Sequence, residues 1–188
     1  KFGDQKYLDP AMDGASGGIH FDDADGSLVI EDSTISGNMV AVGTGGGVSV
    51  RAAATATIRD SRITHNYAPG SGGLRVGFGG VVDDLVLERS VISGNTCGSI
   101  TAFKWGGGNV DYYGAGIWLD NVASATIDAC TISDNMTPEY TGVEEAPPDP
   151  KYLVADVTGY TGGGSGIYAD GGTLTLRNST LSGNTTYA

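Results

Sequence analysis

Apolar residues in this chain come in short alternating runs, and the runs recur in a fixed order. Each unit opens with a glycine and a period-two segment: Gly18-Ile-His-Phe21, Gly47-Val-Ser-Val50, Gly73-Leu-Arg-Val76, Gly116-Ile-Trp-Leu119 and Gly166-Ile-Tyr-Ala169. A second run follows: Leu28-Val-Ile30, Ala56-Thr-Ile58, Leu85-Val-Leu87, Ala125-Thr-Ile127 and Leu174-Thr-Leu176. The unit closes on a hexad: Ser33-Thr-Ile-Ser-Gly-Asn38, Ser61-Arg-Ile-Thr-His-Asn66, Ser90-Val-Ile-Ser-Gly-Asn95, Cys130-Thr-Ile-Ser-Asp-Asn135 and Ser179-Thr-Leu-Ser-Gly-Asn184. Alternation with period two marks strands with one buried face. Each unit therefore predicts three short strands, and the recurrence predicts a solenoid.

The spacings support one repeated core with a variable connection. From the opening Gly to the closing Asn the separations are 20, 19, 22, 19 and 18 residues, but from each Asn to the next Gly they are 9, 7, 21 and 31. The long insertions, 96–115 and 136–165, are expected to project side by side from one face. Alternation directs Ile19, Val48, Leu74, Ile117 and Ile167 inward, with Phe21, Val50, Val76, Leu119 and Ala169. Coils stacked at the inter-strand spacing of about 4.8 Å would bury these rows as one core. The position before each closing Asn is Gly37, His65, Gly94, Asp134 or Gly183, residue types that tolerate positive φ, so a left-handed bend is expected there. Asn38, Asn66, Asn95, Asn135 and Asn184 are then placed to hydrogen-bond along the axis as a ladder. The Ser33, Ser61, Ser90, Cys130 and Ser179 column forms a second row. Outward on the middle strand, Glu31, Arg59, Glu88, Asp128 and Arg177 mostly alternate in sign, which favours this register.

Composition narrows the class. Thirty-two glycines among 188 residues disfavour a helical protein. The net charge of −12, with ten basic residues scattered along the chain, excludes a phosphate-binding stripe and so nucleic acid. No apolar run approaches the roughly 20 residues of a membrane-spanning helix, so membrane insertion is not expected. The chain opens on Lys1 without a basic-then-apolar leader, as a processed product or a piece of something larger would. Two cysteines, Cys97 and Cys130, are too few for a disulfide scaffold. They lie about one coil side apart, which leaves a bridge between them open but disfavoured.

These residues resemble the right-handed parallel β-helix proteins of the pectin-lyase-like superfamily. The glycine-led first strand and the terminal Ser-x-Ile-Ser-Gly-Asn are similar to repeats in large bacterial cell-surface and autotransported proteins. The resemblance runs from about Gly17 to Asn184 and implies an all-β, single right-handed solenoid of about five coils. An entry segment at 1–16 would precede the β-helix domain at 17–188. The matching residues are those that build the coil, so they speak for fold more than for function.

In enzymes of this resemblance, polysaccharide lies along the outer face of the first strand. The equivalent row here is His20, Ser49, Arg75, Trp118 and Tyr168. The insertions flank it with Phe103, Trp105, Tyr112, Tyr113, Tyr140, Tyr152 and Tyr160. These aromatics would either stack on sugar rings or pack the loops and form a protein contact. Glycosidases need two carboxylates about 5–9.5 Å apart, and the row contains none. Asp120 and Asp170 fall at equivalent turn positions, and Asp83-Asp84 is a further pair. Arg75 would serve as a lyase base only beside calcium-binding carboxylates. No catalytic residue is therefore expected. Asp22, Asp23 and Asp25 offer a loose calcium site, although Phe21 fills the place where the calcium-loop template requires Asp; a plain turn is the alternative. No other cofactor is indicated.

Asn135-Met-Thr137, Asn178-Ser-Thr180 and Asn184-Thr-Thr186 match the glycosylation triplet, two of them through ladder asparagines. The insertion at 136–165 carries Glu139, Glu144, Glu145, Asp149 and Asp156 around a proline-rich stretch, suiting either an acidic loop or a docking strap. The leading functional expectation is an extracellular or cell-surface structural or adhesive module, part of a larger fibre. Its partners would be like subunits or further repeats stacked on its ends. The competing expectation is a polysaccharide-binding or polysaccharide-cleaving protein using the His20 to Tyr168 row.

Overall fold

A computed structural model describes residues 16–40, 45–98, 112–137 and 162–186. Within them every regular element is a β-strand and every pairing is parallel. In the first two coils the glycine-led segment and the middle segment run on as single long strands, Ile19–Glu31 and Val48–Arg59. Later coils divide them into Leu74–Val76 and Val82–Glu88, Ile117–Asp120 and Val122–Asp128, and Ile167–Asp170 and Thr173–Arg177. The hexads supply a separate sheet of Thr34–Ser36, Arg62–Thr64, Val91–Ser93, Thr131–Ser133 and Thr180–Ser182. To these the structure adds a fourth ladder of two-residue strands just after the Asn positions: Tyr67–Ala68, Thr96–Cys97, Met136–Thr137 and Thr185–Thr186. Two residues are too few to show a period, which is why the sequence pattern gave no sign of them.

Equivalent residues stack in register. Ile19, Val48, Leu74, Ile117 and Ile167 form one column. Ile30, Ile58, Leu87, Ile127 and Leu176 form a second. Ile35, Ile63, Ile92, Ile132 and Leu181 form a third. Their central members are fully buried in one continuous core, each contributing about 1.5–3 kcal/mol relative to exposure.

Corners are made by two left-handed columns. The bend before the ladder Asn has positive φ at Gly37, His65, Gly94, Asp134 and Gly183, from 55 to 66°. A second column, Asp32, Asp60, Arg89, Ala129 and Asn178, turns the middle strand into the hexad with φ of 44 to 53° and contains no glycine. Asp and Asn accept this region through local hydrogen bonding; Ala129 has no such compensation.

Two polar ladders run along the axis. Asn38 Nδ2 donates to Asn66 Oδ1, and the same bond repeats from Asn66 to Asn95, Asn95 to Asn135 and Asn135 to Asn184, at 2.9–3.1 Å. Each of these donor asparagines also sends its backbone N–H to the same oxygen of the next coil. In the serine column the backbone N–H of Ser33, Ser61, Ser90 and Cys130 donates to Ser61 Oγ, Ser90 Oγ, Cys130 Sγ and Ser179 Oγ respectively. Buried amides are thus satisfied without a strand to receive them. On the outside, Arg59 pairs with Glu31, and Arg89 bridges Asp60 at 2.7 Å and Glu88 at 3.2 Å.

Candidate functional site

Register brings His20, Ser49, Arg75, Trp118 and Tyr168 into a single row on the outer side of the first strands. Their exposure differs from what alternation alone implies. His20 is exposed and Tyr168 half-buried, but Ser49 is buried, Arg75 is 1% exposed and Trp118 is 8% exposed. Phe78 supplies part of the cover. The Arg75 guanidinium carbon lies 3.4 Å from the Phe78 ring centroid and 4.0 Å from that of Trp118. Trp118 in turn meets Phe78 at a tilt and Tyr168 edge-on, each at 6.1 Å between centroids. Cation–π and edge-to-face geometry hold this cluster together. A sugar platform needs an open ring face, and the Trp118 face carries Arg75. The expectation of Arg75 and Trp118 as solvent-facing binding residues is corrected accordingly: period two sets direction from the barrel, while a neighbouring turn sets exposure.

Phe78 was not legible as a site residue because it lies outside the repeat. The signal was nevertheless there, since coil three is the longest from Gly to Asn, at 22 residues. The extra length forms a turn with positive φ at Gly77 and Gly79 on either side of Phe78. Gly77 is required twice over: its φ is 88°, and an added Cβ would lie 1.5 Å from the Asp120 carbonyl oxygen.

Two residues beyond Trp118 and Tyr168, Asp120 and Asp170 pair across neighbouring coils. Burial pushes the Asp120 carboxyl above its ordinary value; the Arg75 charge opposes this and the Asp170 charge adds to it. A carboxylate pair therefore does adjoin the row, one step further along the strand than the row itself.

The remaining candidates fall as follows. Trp105, Phe103, Tyr140, Tyr152, Tyr160 and most of the acidic insertion lie outside the described residues, as does the entry segment apart from Ser16. Tyr112–Tyr113 pairs in parallel with Gly162–Gly163, so the returning ends of the two insertions run side by side. Asp22, Asp23 and Asp25 do not converge. Asp22 pairs with Arg51 of the next coil at 3.0 Å, and Asp23 Oδ1 accepts from the Asp25 N–H at 3.2 Å inside a bulge that lifts residues 24–26 out of the ladder. Among the described residues no three His, Cys, Asp or Glu side chains gather to hold a metal.

Cys97 and Cys130 are buried free thiols in different ladders. Burial pushes the Cys97 thiol up to about 11, and Cys130 is raised for the same reason, so neither is a nucleophile near neutral pH. Asn135 and Asn184 have their amides committed to the ladder, whereas Asn178 is exposed and donates to Asp128 Oδ1 at 2.9 Å. The largest exposed apolar side chains of the core columns stand on the last coil: Leu174, Leu176 and Leu181 are 40–45% exposed.

The stacked parallel sheets, in-register core columns and polar corner ladders define a parallel β-solenoid. Residues 12–188 match the family described as right handed beta helix region, and the chain belongs to that family. No curated protein and no solved structure matches it.

Proposed function

We propose that this chain is an extracellular or cell-surface structural and adhesive module, a building block of a larger fibre that works by stacking coils. The observation that carries this reading is the open edge of the last coil. Leu174, Leu176 and Leu181 expose 40–45% of their surface, while their column neighbours Ala125, Ile127 and Ile132 are buried. An aliphatic strand edge of this kind is a template for pairing with another chain. The extracellular setting is supported by the repeat's resemblance to bacterial surface proteins, and labelling of intact cells with an antibody tests it. Sedimentation velocity over a wide concentration range tests stacking. Growth of the particle with concentration is expected, and a strictly monomeric protein would count decisively against it.

A second reading, polysaccharide binding or cleavage, draws on one observation: Asp120 is held partly protonated by burial beside Asp170, next to the aromatic row. A raised carboxyl beside an ordinary one suits general acid chemistry. Screening acidic and neutral polysaccharides, with and without calcium, separates the two readings. Cleavage abolished in Asp120→Asn would replace the structural reading.

A further inference from the structure

The two polar ladders have a direction. In every coil the backbone N–H of the serine-column residue and of the ladder Asn points toward the following coil, and the following coil supplies the acceptor. The two ends of the stack are therefore chemically opposite. Among the described residues no coil precedes the first to donate into Ser33 Oγ and Asn38 Oδ1, and none follows the last to accept from the Ser179 and Asn184 N–H groups.

Resting on the stacking reading above, we infer that a second copy of this chain seats its first coil on the last coil of this one, head to tail. Ser33 Oγ of the incoming copy accepts from the Ser179 N–H, and its Asn38 Oδ1 accepts from the Asn184 N–H and Nδ2. The contact continues the pattern already present between every pair of coils, so its geometry needs no new element. Tail-to-tail docking would instead set donors against donors in both ladders, leaving them unsatisfied at a buried seam. The apolar contributions are unequal. Leu176 and Leu181 bring exposed surface, whereas Ile30 and Ile35 are already 6% and 8% exposed. Apolar burial on the tail side favours the contact, and the ladders decide its polarity. Such a heterologous interface does not close on itself and propagates as a filament.

Cross-linking reads the polarity directly. Thr34 and Thr180 occupy the same outward column of the hexad sheet, and both are exposed. In the inferred contact they become parallel-strand neighbours about 4.8 Å apart, within the roughly 4.4–6.8 Å that a disulfide spans between Cα atoms. The native thiols are buried and do not interfere. Under mild oxidation, Thr34→Cys and Thr180→Cys should each remain uncross-linked alone and give a dimer when mixed, and the double variant should give a ladder of oligomers. Leu176→Glu, at a position already 44% exposed, should fold normally and reduce the mixed cross-link by about tenfold or more, because it buries an unpaired charge. Dimers from Thr180→Cys alone would overturn the inference in favour of tail-to-tail pairing. Concentration-dependent association without a mixed cross-link, or a yield unaffected by Leu176→Glu, would also overturn it while leaving the stacking reading intact. A protein monomeric at every concentration would remove both.

Discussion

Ile30 and Leu176 stand in the same core column at opposite ends of the stack, yet they meet different surroundings. Ile30 is buried and Leu176 is close to half exposed, as are the equivalent Ile35 and Leu181 of the next column; between them Ile58, Leu87, Ile127, Ile63, Ile92 and Ile132 are sealed. The last coil carries the same hexad as the others and lacks only a neighbour. In a solenoid each coil is stabilised mainly by its interfaces, so equal sequences acquire unequal stabilities by position. The last coil is thus both the weakest part of the fold and the surface most disposed to bind.

The ladder is the most sensitive place to break this contrast. Asn95 is buried; its Oδ1 accepts from Asn66 N and Nδ2, and its Nδ2 donates to Ile63 O and Asn135 Oδ1. Asn95→Ala is expected to cost about 3–5 kcal/mol, since it leaves buried groups unsatisfied. Asn184→Ala, at a half-exposed position where water can substitute, should cost about 1–2 kcal/mol. Urea unfolding midpoints check both, and equal losses would mean that the ends are as tightly bound as the middle.

The core columns should show the same ordering with a smaller spread. Ile127→Ala removes a fully buried side chain and should cost about 3–4 kcal/mol. Leu176→Ala should cost about 1 kcal/mol, in proportion to the surface it buries. If stacking copies cover Leu176, its cost should rise with protein concentration, which sharpens the comparison.

A gain is expected at Ala129. With φ of 53° and no side-chain hydrogen bonding to offset it, Ala129→Gly relieves about 1–2 kcal/mol of left-handed strain. Part is returned through the greater entropy of the unfolded chain. A net stabilisation of about 0.5–1 kcal/mol should appear as a raised thermal midpoint, and a loss would show that this corner is held by other contacts.

The smallest effect concerns pH. The folded pKa of Asp120 is raised above its ordinary value of 3.8, chiefly by burial. The native protein therefore holds that proton more tightly than the unfolded chain. Stability should fall as pH rises from the ordinary carboxylate value through the raised one. Asp120→Asn, neutral and nearly isosteric, should remove that fall. A pH dependence identical in both proteins would show that burial leaves Asp120 unperturbed.

Much of the architecture was legible in the sequence, because each repeat states the same pattern and in-register stacking multiplies it. The columns through Ile30, Ile35 and Val48, and the rows from His20 to Tyr168, follow from period two together with equal spacing. The same features limited what could be read of the site. Phe78 belongs to no repeat, so the cover it places over Arg75 and Trp118 had only a length difference to announce it. The fourth ladder was too short to show a period. The second left-handed column, with Asp, Arg, Ala and Asn in place of glycine, carried no compositional mark.

What the sequence by itself determined was direction: which side chains point into the stack, which point out, and which corner residues can bend left-handed. These are local properties of a strand and its turn, fixed by stereochemistry. The tertiary structure alone decided exposure, because that depends on what a different coil places overhead. It buried Arg75 between two rings, drew Asp22 to Arg51 and away from Asp23 and Asp25, and left Leu176 and Leu181 open where the same column elsewhere is closed.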